Sequence, residues 1–337
     1  MSRAIFILQE KTAMTFRLSA MLAVLSGALA IGGGGPAMAQ AWPSKAVRII
    51  VPFGAGGGTD IQARLLGKFF SESMKQQFLV DNRPGAGGLI GAELAVQSPP
   101  DGHTILFTTA SLSVNVTLYA KRIKFDPLKD LAPVSWISST PLVLVVHPSV
   151  PAKSVKDLVA LAKKSGKMNA GSNGAGTTSH LSVEMLNQMA GLKVAHIPYK
   201  GGGPSMAALV AGETDLLFAT GPVASTQLKS GKVRALAVTT PKKSSAFPDL
   251  PPMNTFYKEF ESDNWYAMFF PRGTPKPIVD RLNAEIAKAL QSKEMKEFMP
   301  REALDPVASS PAELEANFKR EIARYAKIIK AGNITVE

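Results

Sequence analysis

The chain lacks cysteine entirely. This absence excludes disulfides, thiolate metal sites, a cysteine nucleophile and a lipidated cysteine tether. The sequence also lacks the H-E-x-x-H pair of zinc peptidases and the G-x-S-x-G turn of serine hydrolases. Only four histidines are present, and no two lie within a few residues of each other. We interpret them as surface or structural residues and retain His180, in a hydroxyl-rich segment, as a candidate pocket residue. Metal and nucleophile chemistry are therefore disfavoured.

Long apolar runs are scarce, and the longest lies near the N-terminus. Residues 18–35 are apolar or small, follow Arg17, and lead to the small-x-small sequence at 37–39. This layout predicts a secretory signal peptide over residues 1–39, with Met14 as an alternative start. The other interpretation, a membrane anchor, is disfavoured because the run is short and glycine-rich. We expect a soluble mature chain in a bacterial periplasm.

Charge is of mainly one sign. Lysine and arginine exceed aspartate and glutamate by 38 to 26, a formal charge of +12. Residues 1–39 carry +2 of this, which leaves the mature chain at about +10. The basic residues are scattered, and none forms a run interleaved with aromatics, so we expect no nucleic-acid partner. A small anionic ligand is compatible with the charge.

Strand and helix patterns alternate through the mature sequence. The β-branched segment 47–51 predicts a strand, and apolar residues at every fourth position over 61–69 predict a helix with Thr59 or Asp60 as its N-cap. The predicted strands that follow are 78–80, 103–109, 142–147, 168–172, 193–199, 214–219, 233–239 and 264–271. The predicted helices that follow are 89–98, 154–166, 179–191, 205–212, 223–231, 274–292 and 310–330. The polar segment 110–115 is predicted as a loop. This alternation indicates an α/β fold with largely parallel sheets.

The number of elements is too large for one small sheet. Breaks near Pro141 and Ser262 divide the mature chain into a first lobe, 40–140 plus 262–337, and a second lobe, 141–261. Because the chain would cross twice between the lobes, this division predicts a hinge and an interlobe cleft.

The glycine-rich turn "VPFGAGGGTD" (51–60) could be mistaken for a nucleotide-binding loop. Gly54 and Gly56 fit G-x-G-x-x-G, but Thr59 occupies the third glycine position. In a P-loop alignment, Asp60 replaces the lysine and would repel phosphate. Two interpretations stay open: a tight turn without a ligand, or an anion site formed by the backbone N–H groups of residues 55–58.

Two further loops share this character. Residues 171–180 and 199–205 are also rich in glycine and hydroxyl side chains, and each lies between a predicted strand and a helix. Strand ends of this kind face the ligand crevice in open α/β sheets. The three loops together predict a small polar anion held by backbone N–H groups and hydroxyls.

Three long motifs carry a family resemblance: "WPSKAVRIIVPFGAGGGTDIQARLL", "VDNRPGAGGLIGAELAVQSPPDGHTILF" and "HIPYKGGGPSMAALVAGETDLLF". In this order, over residues 42–333, they resemble the Bug-type (Bordetella uptake gene) periplasmic receptors of tripartite tricarboxylate transporters. The resemblance implies a two-lobed type II periplasmic binding protein fold without catalysis, cofactor or metal. It also implies delivery of an organic acid to a permease with a large and a small membrane subunit, and we expect a monomer.

The resemblance also implies where the ligand binds. In the family, the loop matching 55–60 holds a ligand carboxylate from the first lobe, and the loops matching 171–180 and 199–203 approach it from the second. The residues that we predict to contact the ligand are Ala55, Gly56, Gly57, Gly58, Thr59, Asp60, Ser111, Asn115, Ser172, Asn173, Thr177, Thr178, Ser179, His180, Tyr199, Lys200, Gly201 and Thr220.

One position departs from the family. Where the family often has aspartate or asparagine just after the strand matching 214–218, this chain has Ala219-Thr220-Gly221-Pro222. A small neutral wall disfavours an amino-acid ligand and favours a plain dicarboxylate or an aromatic acid. Two alternatives stay open: a receptor that feeds a membrane sensor kinase, and an exported α/β hydrolase.

Overall fold

The strands of the chain were located in a computed structural model that describes residues 42–335; the predicted signal peptide lies outside these residues. The strands are β1 (Val47–Val51), β2 (Phe78–Asn82), β3 (Thr104–Thr109), β4 (Leu131–Val146), β5 (Asn169–Ser172), β6 (Ala195–Pro198), β7 (Leu216–Thr220), β8 (Arg234–Val238), β9 (Asp263–Pro271) and β10 (Asp305–Pro306). All nine predicted strands are confirmed, with shifts of a few residues at their ends.

Helices follow most strands. They are α1 (Gly58–Met74), α2 (Leu89–Val96), α3 (Ser111–Leu118), α4 (Pro127–Asp130), α5 (Val155–Ser165), α6 (Thr178–Ala190), α7 (Gly202–Val210), α8 (Gly221–Lys229), α9 (Lys276–Gln291), α10 (Lys293–Arg301) and α11 (Pro311–Ala331). Short 3₁₀ turns occupy Ala86–Gly88 and Met253–Thr255. Within residues 42–335, no helix is both long and apolar enough to cross a membrane.

The strands form one connected network in the order β2-β1-β3-β9-β4-β7-β5-β6, with β8 and β10 also paired to β4. We call the strands from β2 to the N-terminal part of β4 the first half-sheet, and those from the C-terminal part of β4 to β6 the second half-sheet. Strand β4 belongs to both, because β9 pairs with residues 131–141 and β7 with residues 142–146. The predicted lobe boundary at Pro141 thus lies inside a continuous strand. The described residues from Lys45 onward form one compact unit, and the division into lobes stays a prediction.

The α/β prediction is confirmed, but parallel pairing is limited to part of each half-sheet. Strands β1, β2 and β3 are parallel, as are β5, β6 and β7. By contrast, β4 and β9 run antiparallel to each other, β9 to β3, and β4 to β7. Strands β4 and β9 carry the chain between the half-sheets. These two connections therefore do not use the crossover helix that joins parallel strands.

Two local predictions are wrong. Segment 110–115 is not a loop, because its residues enter α3, which begins at Ser111. The N-cap of α1 is Gly57 rather than Thr59 or Asp60. The helix therefore begins at Gly58, and its N-cap lies two or three residues before the predicted ones. The sequence patterns also missed α4, α10, β10 and the first half of β4.

The most apolar segment of the sequence lies at the centre of the hydrophobic core. Leu142–Val146 of β4 are fully buried, since both faces of this central strand are covered. Helix α11 covers the first half-sheet, where Phe318 packs its ring edge against Trp265 of β9 at 6.1 Å between centroids. The buried strands therefore hold the loops at their ends in fixed positions.

Candidate functional site

A small polar cavity lies where loops from both half-sheets meet. Its volume is about 20 Å³, which is room for about one water molecule. The lining residues are Phe53, Gly57, Gly58, Thr59, Thr109, Ser111, Asn173, Thr177, Thr178, Gly202, Thr220, Asn264 and Tyr266. The cavity as it stands in this structure therefore has no room for a molecule larger than about one water.

Five helices begin at this cavity. The N-termini of α1, α3, α6, α7 and α8 each contribute at least one lining residue. The first N–H groups of a helix have no acceptor within the helix, and the helix dipole is positive there. Within residues 42–335, four of these five termini have no side-chain cap, and only α6 is capped, by Thr177. Neighbouring side chains nevertheless take the first donor of two of these helices, since Ser111 N donates to Thr109 Oγ1 at 3.3 Å and Gly221 N to Thr140 Oγ1 at 3.2 Å. The N-termini of α1 and α7 have no such bond among residues 42–335 and leave their backbone donors for a ligand.

The lining is neutral as well as polar. Among the described residues, no aspartate, glutamate, lysine, arginine or histidine lines the cavity. Threonines, a serine and two asparagines account for most of its side chains. A bound anion would thus be neutralised by helix dipoles and hydrogen bonds rather than by a counter-ion.

The loop after β1 and the loop after β6 meet backbone to backbone. Gly54 N donates to the Lys200 carbonyl at 2.6 Å. A Cβ at Gly54 would lie 2.6 Å from that same oxygen, and a Cβ at Gly203 would lie 2.6 Å from the Ala55 carbonyl. Real Cβ contacts are not this short, so glycine at these positions is what allows the two loops to touch and close the cavity.

Asp60 holds the first of these loops in shape. Its buried carboxylate accepts hydrogen bonds from Gly56 N at 3.0 Å, Asn82 Nδ2 at 3.0 Å and Arg64 Nε at 3.0 Å. Asn82 Nδ2 also donates to the Phe53 carbonyl at 3.0 Å. Burial alone would raise the pKa of Asp60, but these hydrogen bonds and the Arg64 charge lower it below its usual value. Asp60 therefore stays ionised and braces the turn.

The loop after β5 is braced by a pair of histidines, of which His180 is buried and His196 half-buried. Ser172 Oγ and His196 Nε2 are hydrogen-bonded at 2.6 Å, and the His196 ring stacks on His180 at 3.9 Å between centroids. His180 Nδ1 accepts from Gly176 N at 3.2 Å, and its Nε2 lies 3.6 Å from Glu184 Oε1. Burial lowers the pKa of His196 to about 4, with the charge of His180 adding to the effect and Glu184 opposing it. The two histidines therefore hold the loop after β5 in position.

The floor of the cavity comes from two central strands. Thr220 ends β7, while Asn264 and Tyr266 lie on β9. Thr220 Oγ1, Asn264 Nδ2 and Tyr266 OH are buried and have no hydrogen-bond partner among residues 42–335. Burial raises the pKa of Tyr266 well above its usual value, and the adjacent Thr220 and Asn264 side chains, which lie near the phenol without completing a hydrogen bond to it, oppose this effect only in part. The phenol therefore keeps its proton.

The structure brings eight of the predicted site residues to this cavity. They are Gly57, Gly58, Thr59, Ser111, Asn173, Thr177, Thr178 and Thr220. Tyr199 and Lys200 line an adjoining cavity of about 260 Å³, which shares Phe53 and Asn173 with the first.

The other predicted residues lie outside the lining and mostly support it. Asn115 donates through Nδ2 to the Gly87 carbonyl at 2.9 Å, and Ser179 donates through Oγ to the Phe218 carbonyl at 2.7 Å. The remaining ones are Ala55, Gly56, Asp60, Ser172, His180 and Gly201, which belong to the glycine turn, the histidine pair and the loop after β6.

Five lining residues were not predicted. Phe53 and Thr109 follow or end parallel strands, and Gly202 belongs to a glycine loop, so the strand-end rule could have found them. Asn264 and Tyr266 lie at the start of an antiparallel strand, for which that rule gives no signal. No cluster of three or more potential metal ligands is found within the described part of the chain.

Comparison with known proteins agrees with this geometry. The family model TctC, the tripartite tricarboxylate transporter family receptor, matches residues 62–334. The chain belongs to this family. It is 34% identical over 318 residues to Protein BugT of Bordetella pertussis, which covers 93% of this chain and 97% of BugT. TctC proteins are binding proteins, so the chain is a receptor rather than an enzyme.

Solved structures of TctC relatives match the whole fold. The periplasmic binding protein BugD superposes with a TM-score of 0.84 at 32% identity, over 88% of this chain and 100% of BugD. Rpa4515 of R. palustris, solved with adipate, matches with 0.84 at 33% identity, over 87% and 99%. MatC of Rhodopseudomonas palustris, solved with bound malate, matches with 0.82 at 28% identity, over 86% and 100%. The predicted periplasmic binding protein fold is confirmed.

Proposed function

We propose that this TctC-family chain is a periplasmic receptor for a small organic anion, which it delivers to a tripartite tricarboxylate transporter. The ligand class is a di- or tricarboxylate or an aromatic carboxylate. The observation that carries the proposal is the convergence of five helix N-termini on one neutral cavity. Among residues 42–335, the first N–H groups of α1 and α7 have no side-chain acceptor. Each terminus stabilises an anion by about 0.3–1 kcal/mol.

Ligand capture follows from the contact between the two glycine loops. In the open state, a carboxylate docks on the N-terminus of α1, at Gly57 to Thr59. Thr177 and Thr178 then approach from the other half-sheet. The hydrogen bond from Gly54 N to the Lys200 carbonyl forms again as the loops close around the ligand. Ligand binding selects the closed state because only that state brings both sets of donors to the anion. Adipate and malate, bound by two relatives, are the first ligands to test.

A thermal-shift screen tests the proposal directly. The mature protein is heated with mono-, di- and tricarboxylates, aromatic acids, sugars and cations. A ligand at 100 times its dissociation constant adds about 2.7 kcal/mol to the free energy of unfolding, which is a clear rise in Tm. A rise with sugars or cations but with no carboxylate would contradict the proposal.

The membrane partner needs a separate experiment. Proteoliposomes that contain a large and a small permease subunit of the tripartite tricarboxylate transporter class are given a cation gradient, and uptake of the bound acid is followed. We expect uptake only when the receptor is added. Failure of uptake, together with activation of a neighbouring sensor kinase by the liganded receptor, would support the alternative partner.

A further inference from the structure

The three floor residues of the cavity are an unusual group in a folded protein. Thr220, Asn264 and Tyr266 are 6%, 2% and 1% exposed, and one polar atom of each lacks a partner among residues 42–335. Most buried polar atoms in proteins are hydrogen-bonded, because leaving one unpaired costs stability. Three such atoms at one cavity mark a place where a ligand, or the single water that a ligand displaces, supplies the missing hydrogen bonds.

All three atoms can act as donors. Thr178 Oγ1 donates to Asn264 Oδ1 at 3.4 Å, so the amide nitrogen of Asn264 is the atom left for the cavity. The Tyr266 phenol keeps its proton because burial raises its pKa. The Thr220 hydroxyl can also donate. The floor therefore presents up to three donors, and Asn264 Nδ2 can donate but cannot accept.

The chemistry of the floor disfavours two ligand ends. An ammonium group needs acceptors or a carboxylate, but Asn264 Nδ2 cannot accept, only the Thr220 and Tyr266 hydroxyls can, and no Asp or Glu lines the cavity among the described residues. A plain aromatic or alkyl end would leave the donors buried and unpaired, which is costly. An oxygen-rich anionic end satisfies them.

The floor is also held by the strand shared between the half-sheets. Asn264 pairs with Thr140 and Tyr266 with Ser138 of β4, while Thr220 pairs with Leu142 of the same strand. Asn264 and Tyr266 thus reach the ligand from the first half-sheet and Thr220 from the second. One ligand end on this floor contacts both.

We infer that Thr220, Asn264 and Tyr266 determine specificity by binding a second carboxylate, so that the receptor selects dicarboxylates over aromatic monoacids and amino acids. This inference rests on the proposed function, since the first carboxylate occupies the helix N-termini.

Two matched ligand series test it in the wild-type protein by isothermal titration calorimetry. They are succinate, butyrate and 4-aminobutyrate, and adipate, hexanoate and 6-aminohexanoate. Within each series the first carboxylate and the chain are kept while the far end changes from carboxylate to methyl to ammonium. In the series whose length fits, we expect the diacid to bind about 10- to 100-fold more tightly than the monoacid, and the amino acid more weakly still.

The variant Asn264→Asp then changes the charge of the floor with little change in shape. We expect diacid affinity to fall at least tenfold and the preference for the diacid over the amino acid to shrink or reverse. Asn254→Asp, which makes the same substitution outside the cavity lining, is the control and should leave both affinities unchanged. If the buried aspartate prevents folding, Thr220→Val and Tyr266→Phe remove one donor each without adding a charge, and each should reduce the diacid-to-monoacid ratio.

The outcomes separate the inference from the function on which it rests. Binding of a monoacid as tightly as its diacid, with equal losses for both in Thr220→Val and Tyr266→Phe, would overturn the inference and leave a carboxylate receptor. Absence of binding by every carboxylate, in these series and in the thermal-shift screen, would overturn the proposed function itself.

Discussion

The substitution Tyr266→Phe gives opposite expectations for stability and binding. Tyr266 is 1% exposed, and its hydroxyl has no hydrogen-bond partner among residues 42–335. An unpaired buried hydroxyl costs about 1–3 kcal/mol, although the cavity of about 20 Å³ has room for one water that would reduce this cost. Without ligand, we therefore expect the free energy of unfolding of Tyr266→Phe to equal that of the wild type or to exceed it by up to about 2 kcal/mol.

Ligand binding should respond in the other direction. The variant removes one hydrogen bond to an ionised group, worth about 1.5–3 kcal/mol, so the bound dicarboxylate should dissociate about 10- to 150-fold more readily. Urea denaturation without ligand measures the stability, and calorimetric titration measures the affinity. Both use the mature protein.

Tyr325→Phe is the matched control. Tyr325 is also fully buried, but its hydroxyl accepts from Arg324 Nη2 at 3.0 Å and donates to the Asp263 carbonyl at 3.3 Å. Its loss should lower the free energy of unfolding by about 0.5–1.5 kcal/mol and leave the affinity intact. If Tyr266→Phe destabilises the protein as much as Tyr325→Phe does, the Tyr266 hydroxyl is structural and our assignment is refuted.

Three further predictions concern the parts around the floor. Gly203→Ala places a Cβ 2.6 Å from the Ala55 carbonyl. Overpacking of this kind costs about 1–3 kcal/mol and should weaken the contact between the two loops. Small-angle scattering should therefore show a more open protein, and calorimetric titration a weaker complex. Gly191→Ala, at a left-handed helix end with open space around it, should lower stability without changing affinity; equal affinity losses in both variants would refute the closure contact. Because burial lowers the pKa of His196 from 6.5 to about 4, the unfolded state takes up its proton first, and stability should fall by up to about 3 kcal/mol as the pH drops through this window. His196→Gln should flatten that part of the urea-denaturation pH profile, and an unchanged profile would contradict the assignment. Asp60→Ala removes the acceptor of Gly56 N and Arg64 and should lower both stability and affinity; wild-type affinity in the folded variant would show that the brace is not needed for binding.

The sequence predicted elements well where one local pattern determines them. The predicted helix 154–166 is observed, with Ser154 as its N-cap and a left-handed Gly166 at its end, because each of these ends depends on a few adjacent residues. The long strand β4 was only half predicted. Its first half contains Pro133 and several small polar residues, so it has no clear strand pattern. It is held as a strand by pairing with β9, and this pairing cannot be predicted from the local sequence.

The candidate site shows the same limit. The glycine and hydroxyl loops were found because they follow parallel strands and carry a composition suited to anions. Asn264 and Tyr266 were missed because their role depends on β9 lying antiparallel between β3 and β4, so that its first residues reach the ligand end of the sheet. Asp60 was predicted to contact the ligand, and the structure shows a carboxylate occupied by the turn itself.

Calorimetric titration of the mature protein with mono-, di- and tricarboxylates and aromatic acids tests the proposed receptor function most directly. We expect saturable binding of one small carboxylate per chain, without turnover, at the cavity where α1, α3, α6, α7 and α8 begin. Binding that is lost in Tyr266→Phe and Gly203→Ala but kept in Tyr325→Phe would support that location. Absence of binding by every carboxylate, together with saturable binding of a sugar or a cation, would contradict it.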